Sequence, residues 1–465
     1  MYQRYHLQTT SAPEIAPFPN RTIVRVKKPG LAAHLIEELI RRRGNRAVAL
    51  SRPCLYGVFS GPVGGFAPRS GSCVACLRCT IEYPDMVRVC LNPEHLKLGD
   101  SYFRPGDVDT VCYEARTGRV PVKGAGYRGR FGGEDWDGMW TDMSEIVRPT
   151  RDGIHGREFI STSVDIGQKP PFLYFDEQGL TPDREARTFS LPIPVLFDVP
   201  PSSALSPKLL RVLLAAAQKA GTLVVLPVAV LRKFGLAGQV VPLISHEDAG
   251  LLEGLQPLPR MIELEGWNEA LFHEMRSRFA DTTLCLRQDF TSPEELLKFY
   301  RSGVRVFHLV ANYHGRGRDG RFMLDLIREA HGALLEAKCR DEVTLLGSGG
   351  IIAAEHVPKA IICGLDAVAL DTALLAALQA RFLGECLDRT KSRFQLPKRL
   401  SLDWGVQRLE NLLASWRDQL LEVLGAMGLR EVRRLRGEIG RAMFQKNLER
   451  EAFAGIEGYD HERIA

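Results

Sequence analysis

From residue 191 onwards, short apolar runs alternate with segments of helical periodicity. The strand-like runs occupy residues 194–199, 222–226, 240–245, 261–264, 282–287, 304–310, 343–346 and 367–370. Most are separated by segments whose apolar residues recur every three or four positions, as one face of a helix requires. These segments lie at 206–220, 267–279, 292–302, 321–337 and 354–363. Eight strands alternating with helices over about 200 residues predict an α/β fold, a closed (β/α)8 TIM barrel over residues 191–400. An open doubly wound sheet is the alternative.

The segments outside residues 191–400 lack this regular alternation. Residues 1–24 are polar and contain several prolines, which indicates an N-terminal arm. Residues 25–115 are predicted to form a loop-rich segment that begins with a short strand and an amphipathic helix. Residues 116–190 are predicted to be a connecting region of short strands and loops. Residues 124–129 match the glycine pattern of dinucleotide-binding turns, but no helical pattern follows, so a surface turn is favoured. A leucine stripe in residues 401–465 predicts C-terminal helices docked on the barrel.

Composition excludes several functional classes. The chain has 465 residues, of which 45% are apolar and 25% charged, as in an ordinary globular protein. No apolar run approaches the ~20 residues that a transmembrane helix needs, and the first residues lack the apolar core of a signal peptide. We therefore expect a cytoplasmic protein without membrane insertion. A net charge of +5 without a strong basic stripe argues against a nucleic-acid partner.

Three of the ten cysteines form a compact motif. Cys73, Cys76 and Cys79 have the spacing C-x2-C-x2-C. Three thiolates at this spacing on a tight loop can bind three corners of a cubane [4Fe–4S] cluster. In ferredoxins a fourth cysteine follows after three residues and precedes a proline, whereas here Tyr83 precedes Pro84. Because that cysteine ligates the other cluster in two-cluster ferredoxins, its absence is typical of a single-cluster protein.

The fourth cluster ligand must therefore come from elsewhere in the chain. Cys54 lies in the same loop-rich segment and is the preferred candidate, with Cys90 and Cys112 as alternatives. A zinc site is the competing interpretation, but zinc sites usually combine two separate C-x2-C pairs. The predicted metal ligands are Cys54, Cys73, Cys76 and Cys79.

Two turns at the end of the predicted barrel have the composition of a phosphate site. In (β/α)8 barrels the loops after strands seven and eight, with a helix N-terminus, hold phosphate through backbone N–H groups. Here the seventh strand runs into a glycine-rich turn, and the eighth runs into an aspartate and a threonine. Glycine lets the backbone approach a ligand closely. The predicted cofactor-binding residues in these turns are Gly347, Ser348, Gly349, Gly350, Asp371 and Thr372.

Charged residues at other strand ends are candidates for the catalytic face. Arg287 ends the fifth predicted strand, where an inward guanidinium would supply positive charge, but Cys285 could occupy that register instead. After the sixth strand, segment 313–318 combines His314 with two arginines and two glycines, which could hold an anion or donate a proton. A solvated basic loop is the alternative interpretation. The predicted catalytic residues are Arg287 and His314.

Several stretches resemble, in order, the FMN-binding glutamate synthase family, and in particular the archaeal-type large subunit. That subunit has a ferredoxin-like iron–sulfur segment ahead of its barrel. The matching stretches cover roughly residues 25–455 and are 109–118, 161–167, 203–206, 347–351, 357–360, 405–411 and 424–430.

The resemblance implies two cofactors, a [4Fe–4S] cluster and an FMN on the C-terminal face of the barrel. Electrons would pass from the iron–sulfur centre to the flavin, and from there to an imine of 2-oxoglutarate. Carried over by motif, the FMN phosphate would lie against the two turns named above, and the first barrel loop would meet the flavin through Ser202 and Ser203. The implied partners are an electron-donor protein or reductase subunit and an amidotransferase subunit.

The chain departs from the family pattern at the expected site. The family has glycine where Asp371 precedes Thr372, and a lysine on the fifth strand, which is absent from residues 283–287 here. A carboxylate about 4 Å from a phosphate dianion is repelled by several kcal/mol at an effective dielectric constant near 20. The family's substrate loops are also missing. Two hypotheses follow: an iron–sulfur flavoprotein oxidoreductase within a larger complex, or a degenerate relative that serves as a scaffold or electron-transfer subunit.

Overall fold

The computed structural model describes residues 5–45, 54–121, 133–141, 159–169, 175, 177–179, 187–235, 238–252, 258–290 and 292–456. The glycine pattern at 124–129 lies outside these residues. The chain divides into two compact units. Within the described ranges, one unit contains 14–45, 54–110 and 121, and the other contains 5–13, 111–120 and the described residues from 133 to 456.

The N-terminal unit contains an antiparallel pair of strands, β1 (Thr22–Val26) and β2 (Val87–Leu91). Helix α1 (Lys28–Arg41) follows β1, and the short helix α2 (Arg78–Glu82) precedes β2. One buried apolar cluster of this unit consists of Val24, Val58 and Val87, with Cys54, Cys73 and Cys79 partly buried against it. Tyr102, Phe103 and Val108 of the same unit are also buried.

Helix α3 (Pro105–Thr117) occupies a stretch for which the sequence pattern predicted loops and short strands, and that prediction is wrong. The helix begins with proline and has Asp107 in its first turn, which are both helix-start signals. Two aspartates, two threonines and a glycine weaken its intrinsic propensity. Its buried face nevertheless has helical spacing, through Val108, Val111, Cys112 and Ala115.

Before the barrel, β4 (Val164–Gln168) pairs with β5 (Arg187–Leu191), and β3 (Met139–Thr141) pairs with the later strand Ala442–Phe444.

Eight parallel strands then close into a barrel, which confirms the predicted fold. They are β6 (Val195–Phe197), β7 (Val224–Pro227), β8 (Val240–Ile244), β9 (Met261–Glu265), β10 (Thr283–Gln288), β11 (Val306–Val310), β12 (Thr344–Ser348) and β13 (Ala367–Leu370). Pairing of β13 with β6 closes the ring. Their continuous apolar runs fit strands that are covered on both faces.

Helices cover the outside of the barrel. Three of them begin at a serine or asparagine whose side chain accepts the N–H three residues later, because this cap satisfies a donor that the helix leaves unpaired. After β8, a 3-10 turn takes the place of a helix, where the sequence pattern was weak. The helices are α4 (Pro207–Ala220), α5 (Val228–Phe234), α6 (Glu269–Arg278), α7 (Pro293–Arg301), α8 (Met323–Glu336), α9 (His356–Cys363) and α10 (Thr372–Ala377).

After α10 the chain forms a hairpin of β14 (Arg381–Phe382) and β15 (Phe394–Gln395). The long helix α11 (Leu402–Ala426) follows and buries its predicted apolar stripe. It packs closely on α4, because a Cβ on Gly405 would lie 2.8 Å from the Val212 side chain. The stripe residues buried on α11 are Leu409, Leu412, Leu413, Trp416, Leu420, Leu421 and Leu424.

The helical prediction for residues beyond 426 is wrong in part. Turns and the strand β16 (Ala442–Phe444) separate α11 from the short helix α12 (Gln445–Phe453). Gly428 and Gly437 adopt φ of +71° and +75° there, which end a right-handed helix. Across the ranges that the structure describes, no helix is long and apolar enough to cross a membrane.

Candidate functional site

The four predicted cluster ligands lie around one small cavity in the N-terminal unit. Cys54, Cys73 and Cys79 are partly buried, and Cys76 is exposed. The alternative fourth ligands are not among the residues that line this cavity. Cys90 is exposed, and the buried thiol of Cys112 donates a hydrogen bond to the carbonyl oxygen of Ala376. The four cysteines that line the cavity are Cys54, Cys73, Cys76 and Cys79.

The backbone around Cys76 is strained. Ala75 and Leu77 adopt φ of +54° and +59°, which residues with a side chain rarely do. The N–H of Ala75 donates to Sγ of Cys73 at 3.4 Å. Strained backbone of this kind persists where the surroundings hold it, often at ligand sites.

The sulfur atoms are spaced more widely than a zinc ion requires. Four thiolates at about 2.3 Å from one Zn²⁺ lie about 3.8 Å from each other. Among the described residues, no three cysteine sulfur atoms lie within 4.8 Å of one another. The described cysteine sulfur atoms therefore do not stand at the separations of a four-thiolate zinc site.

Burial and the neighbouring thiols favour the protonated form of Cys79. Burial, followed by the neighbouring thiols of Cys73 and Cys76, raises the pKa of Cys79. Thiolates this close repel each other, so a metal centre would stabilise the deprotonated set.

A second cavity, of about 380 Å³, opens at the C-terminal ends of the barrel strands. Active sites of (β/α)8 barrels lie at this face, because the loops after the strands converge there. Residues from four barrel loops and from the β14–β15 hairpin contribute to its wall. They include Asp198 after β6, Arg287 at the end of β10, Tyr313 after β11, Asp371 after β13 and Arg389 in the hairpin.

Arg287 belongs to a buried ion-pair network. Its guanidinium donates to Asp198 at 2.6 and 2.9 Å and to Glu263 at 3.3 Å. Nδ1 of His308 lies 2.6 Å from the other oxygen of Glu263. Burial alone would raise the pKa of Asp198, but Arg287 outweighs it and holds that pKa below its usual range. The positive charge of Arg287 is therefore already matched by two carboxylates.

Cys285 and Arg287, the two residues considered for the inward position on the fifth barrel strand, both lie inside the barrel. Cys285 and Arg287 are two positions apart on β10 and share a face; both are buried. Sγ of Cys285 lies 3.9 Å from Glu263. Burial and then Glu263 raise the pKa of Cys285, so its thiol stays protonated at neutral pH.

Asp371 caps the N-terminus of α10. Its carboxylate accepts hydrogen bonds from the backbone N–H and the hydroxyl of Thr372. The side chain is buried, and burial raises the pKa of Asp371 to about 7, although the bonds from Thr372 act in the opposite direction. The N–H that was predicted to bind phosphate is thus bonded to a carboxylate of the chain itself.

The glycine-rich turn after β12 packs against the loop after β11. A Cβ on Gly349 would lie 2.5 Å from the carbonyl oxygen of Asn312. The N–H of Gly350 donates to the carbonyl oxygen of Tyr313 at 3.2 Å, and a Cβ on Gly347 would meet Leu365. These glycines therefore allow close packing within the barrel. Asp371, whose carboxylate occupies the N-terminus of α10, is the residue at this end of the site that opposes a phosphate dianion.

Two buried hydroxyls near the glycine-rich turn lack hydrogen-bond partners among the described residues, those of Ser348 and Tyr313. Nearly all buried polar atoms in folded proteins are bonded, so such atoms mark places where a ligand or water binds. Of the two residues, Tyr313 lines the second cavity. Burial, followed by Asp371, raises the pKa of Tyr313 above its usual range, so the phenol remains a hydrogen-bond donor.

Ser202 and Ser203 hold the β14–β15 hairpin at the rim of the barrel. The N–H of Ser202 donates to the carbonyl oxygen of Arg389 at 2.9 Å. The Ser203 hydroxyl donates to the carbonyl oxygen of Ser392 and accepts from the N–H of Phe394. The hydroxyl of Ser203, predicted to contact a flavin, is therefore engaged by the chain's own backbone.

His314 is buried but is not among the residues that line the second cavity. Its backbone N–H donates to Oδ1 of Asn312, which also accepts from the N–H of Arg316. Nε2 of His314 lies 3.9 Å from Glu385. Arg316 donates to both oxygens of Asp135 at 2.7 and 2.8 Å. The loop is therefore an ordered, ion-paired turn rather than a solvated basic loop.

Charges on the wall of the second cavity are closely balanced. Each arginine that lines it has an acidic partner within 3 Å. A wall with matched charges lacks the excess positive potential that attracts a phosphate dianion. The pairs are Arg287–Asp198, Arg316–Asp135, Arg318–Asp289 and Arg389–Glu265.

The sequence reasoning missed Asp198 and His308. Asp198 directly follows the first barrel strand, a position at the catalytic face that could have been noted. His308 interrupts the apolar run of β11, and a polar residue inside a buried strand signals a partner.

Comparison with known proteins places these features in context. The family described as "Conserved region in glutamate synthase" matches residues 317–430. An archaeal-type glutamate synthase (NADPH) of Dehalococcoides mccartyi is 24% identical over an alignment of 434 positions that covers 79% of this chain and 86% of the relative. An archaeal glutamate synthase (NADPH) of Methanocaldococcus jannaschii is 37% identical over 110 residues, 22% of each chain. Among solved structures, a mutant flavocytochrome b2 with pyruvate bound superposes with a TM-score of 0.42 at 13% identity, covering 71% of this chain and 82% of that one.

Proposed function

Because the chain belongs to the glutamate synthase family, we propose that it is an iron–sulfur oxidoreductase of the glutamate synthase type that works within a larger complex. The observation that carries the proposal is the convergence of four cysteines on one cavity of the N-terminal unit. A [4Fe–4S] cluster bound there would accept and release single electrons. Its ligands would be Cys54, Cys73, Cys76 and Cys79.

The chain's own residues would tune this cluster. The N–H of Ala75 places a donor on the sulfur of Cys73, and hydrogen bonds to sulfur raise the reduction potential of such clusters. The exposed Cys76 leaves one edge of the site open to solvent. That edge would be where an electron-donor protein or reductase subunit exchanges electrons.

FMN is the barrel cofactor that the family implies. The second cavity offers space and the hydroxyl of Tyr313, which has no hydrogen-bond partner among the described residues. Its phosphate end does not fit a dianion, because the carboxylate of Asp371 already caps α10. We therefore derive no step through FMN. Arg287 lies on the strand that carries a lysine in the family, but Asp198 neutralises it.

A second candidate function follows from the Asp371 observation. The chain could be a cluster-bearing electron-transfer or scaffold subunit whose barrel binds no flavin. Under this candidate an amidotransferase partner is not required, because no imine would be reduced in this barrel.

The two candidates are tested by purification of the full chain without oxygen. Both require close to four irons and four acid-labile sulfides per chain and a broad visible absorbance that dithionite bleaches. Flavin released on denaturation in a 1:1 ratio supports the first candidate, and flavin-free protein with full iron content supports the second. Protein that holds zinc, or no metal, rejects both.

Matched cysteine variants test the ligand assignment. Cys54→Ala should lower iron content at least to a three-iron level, because one corner of the cluster loses its thiolate. Cys90→Ala should retain full iron, because Cys90 does not line the cavity. The reverse pattern would contradict the assignment of Cys54.

A further inference from the structure

The wall of the second cavity carries more acids than cations. Among the described residues that line it, five are acidic and four are arginines. Arg287 pairs in addition with Glu263, and Arg316 pairs with Asp135. Neither of these two acids lines the cavity, so they add to the negative charge around it. An excess of carboxylates around one space favours a cationic ligand. The acidic residues of the wall are Asp198, Glu265, Asp289, Asp371 and Asp388.

Asp371 is a buried carboxyl of this wall without a cationic partner. Asp198 pairs with Arg287 at 2.6 Å. The carboxylate of Asp371 is instead bonded to the N–H and the hydroxyl of Thr372, which are neutral groups. Within the part of the chain that the structure describes, Asp371 forms no ion pair. Because a buried carboxylate without a counter-charge is costly, a cation beside Asp371 would stabilise its ionised form.

Tyr313 gives an independent indication of a ligand beside Asp371. Tyr313 is 6% exposed and lines the cavity, and its hydroxyl has no hydrogen-bond partner among the described residues. After burial, Asp371 and Asp198 are the groups that raise the pKa of Tyr313, so the hydroxyl lies close to both carboxyls. The N–H of Tyr313 donates to the carbonyl oxygen of Leu387 at 2.8 Å, which fixes the backbone there. A group bound at Asp371 would therefore also reach the phenol oxygen.

We propose that the second cavity binds the ammonium group of a small organic amine between Asp371 and Tyr313. An ammonium group has three N–H donors and no acceptor, and the carboxylate and the phenol oxygen accept two of these donors. A charge-assisted hydrogen bond to a carboxylate is stronger than a neutral one. The proposal goes beyond the proposed function, because it requires neither the cluster nor flavin.

The apolar part of the wall suits the carbon chain of such an amine. Val310 and Leu387 line the cavity and retain exposed surface, and Val199 and Ala311 lie beside them in the wall. A volume of about 380 Å³ fits a small molecule. Among the described residues of this wall, no three acidic or histidine side chains bring ligand atoms within 4.8 Å of one another. The wall therefore lacks the compact oxygen set that a divalent metal ion prefers.

Amine affinity should depend on the ionisation of Asp371. Burial raises the pKa of Asp371 to about 7, so its carboxyl is largely protonated at pH 6 and ionised at pH 8. The other groups that face it keep their charge over this range. Against the effect of burial, Arg287 holds the pKa of Asp198 below its usual range, and Asp198 holds that of Arg287 above its own. An alkylamine stays protonated, as lysine does, so its affinity should rise from pH 6 to pH 8.

The test is calorimetric titration of the full chain, purified without oxygen, with butylamine and with 1-butanol at pH 8 and constant sodium chloride. Flavin content is measured on the same preparation, so that loss of flavin binding and loss of amine binding are recorded separately. Butylamine should bind saturably and 1-butanol should not, because the alcohol lacks the charge. Asp371→Asn should weaken butylamine binding about tenfold, equivalent to about 1.4 kcal/mol. Tyr313→Phe should weaken it several-fold, because only the hydroxyl is removed.

Glu336→Gln and Tyr300→Phe are the matched controls, because they remove a carboxylate and a phenol hydroxyl that do not line the cavity. Both should bind butylamine as the wild type does. The proposal is overturned if 1-butanol binds as tightly as butylamine, or if either Asp371→Asn or Tyr313→Phe retains wild-type affinity. Potassium, magnesium or ammonium chloride that binds as tightly as butylamine would also overturn it, because the apolar wall would then contribute nothing.

Discussion

At the scale of single residues, Asp371 decides the character of the barrel site. It introduces a carboxylate where the related family has glycine, and that carboxylate bonds to the first N–H and hydroxyl of α10. Helix N-termini favour anions because their N–H groups are unpaired. Here the anion is already part of the chain, so an external phosphate would have to displace it or share the site with it.

Removing this carboxylate should therefore raise flavin affinity. We expect Asp371→Gly and Asp371→Asn to bind FMN at least tenfold more tightly than the wild type at pH 8, because several kcal/mol of repulsion are relieved. The gain should shrink at pH 6, where the wild-type carboxyl, with a pKa of about 7, is largely protonated. Quenching of flavin fluorescence measures the affinity.

Asp289→Asn is the control for this experiment. Asp289 lines the same cavity but pairs with Arg318 at 2.8 Å. Its replacement should leave FMN affinity within about twofold of the wild type, because Arg318 already neutralises the carboxylate. Equal affinities for the wild type and both Asp371 variants would reject the electrostatic account.

At the scale of elements, the β14–β15 hairpin forms part of the rim of the candidate active site. Its anchors include the Ser203 hydroxyl, which bonds to Ser392 and Phe394, and the ion pair between Arg389 and Glu265. Because the segment lies at the rim and outside the strands of the barrel, local opening should cost less than unfolding of the barrel.

Loss of the Ser203 hydroxyl should loosen the hairpin. Ser203→Ala removes two hydrogen bonds at a cost of about 1 kcal/mol each, so limited proteolysis within residues 383–393 should become several-fold faster. Ser202→Ala is the matched control, because Ser202 bonds to Arg389 through its backbone N–H, which the substitution keeps. Identical cleavage rates in the two variants would contradict the anchoring role of Ser203.

At the scale of the whole molecule, the buried carboxyl of Glu114 makes the free energy of unfolding depend on pH. Glu114 on α3 accepts a hydrogen bond from Nε1 of Trp416 on α11 at 2.8 Å. Burial raises its pKa to about 8, although the bond from Trp416 acts in the opposite direction. Between pH 4.5 and 8 the folded state keeps this proton while the unfolded state releases it, so stability falls as pH rises.

Glu114→Gln should flatten this dependence. The wild type should lose on the order of 4 kcal/mol of unfolding free energy from this group between pH 4.5 and 8, and the neutral amide should lose none of it. Chemical denaturation at pH 5 and pH 8 measures the difference. The control is Glu422→Gln on the same long helix, which should retain the wild-type slope; equal slopes for all three proteins would exclude Glu114 as the source.

The barrel and the cysteine motif could both be predicted from the sequence. The sequence by itself determined the barrel, because apolar periodicity is a local property and the eight strands and most of the helices of residues 191–400 have it. It also determined the compact cysteine motif, whose spacing is set along the chain. Helix α3 was missed because its propensity is weak and its buried face depends on packing.

Only the tertiary structure decided the character of the barrel site. The charge of Arg287 depends on Asp198, 89 residues earlier in the chain, and the meaning of the glycine-rich turn depends on its packing against Asn312 and Tyr313. Whether Asp371 faces a ligand or caps its own helix is likewise a matter of side-chain direction. Neutralisation and packing arise between residues that are distant in sequence, and a local pattern carries no information about them.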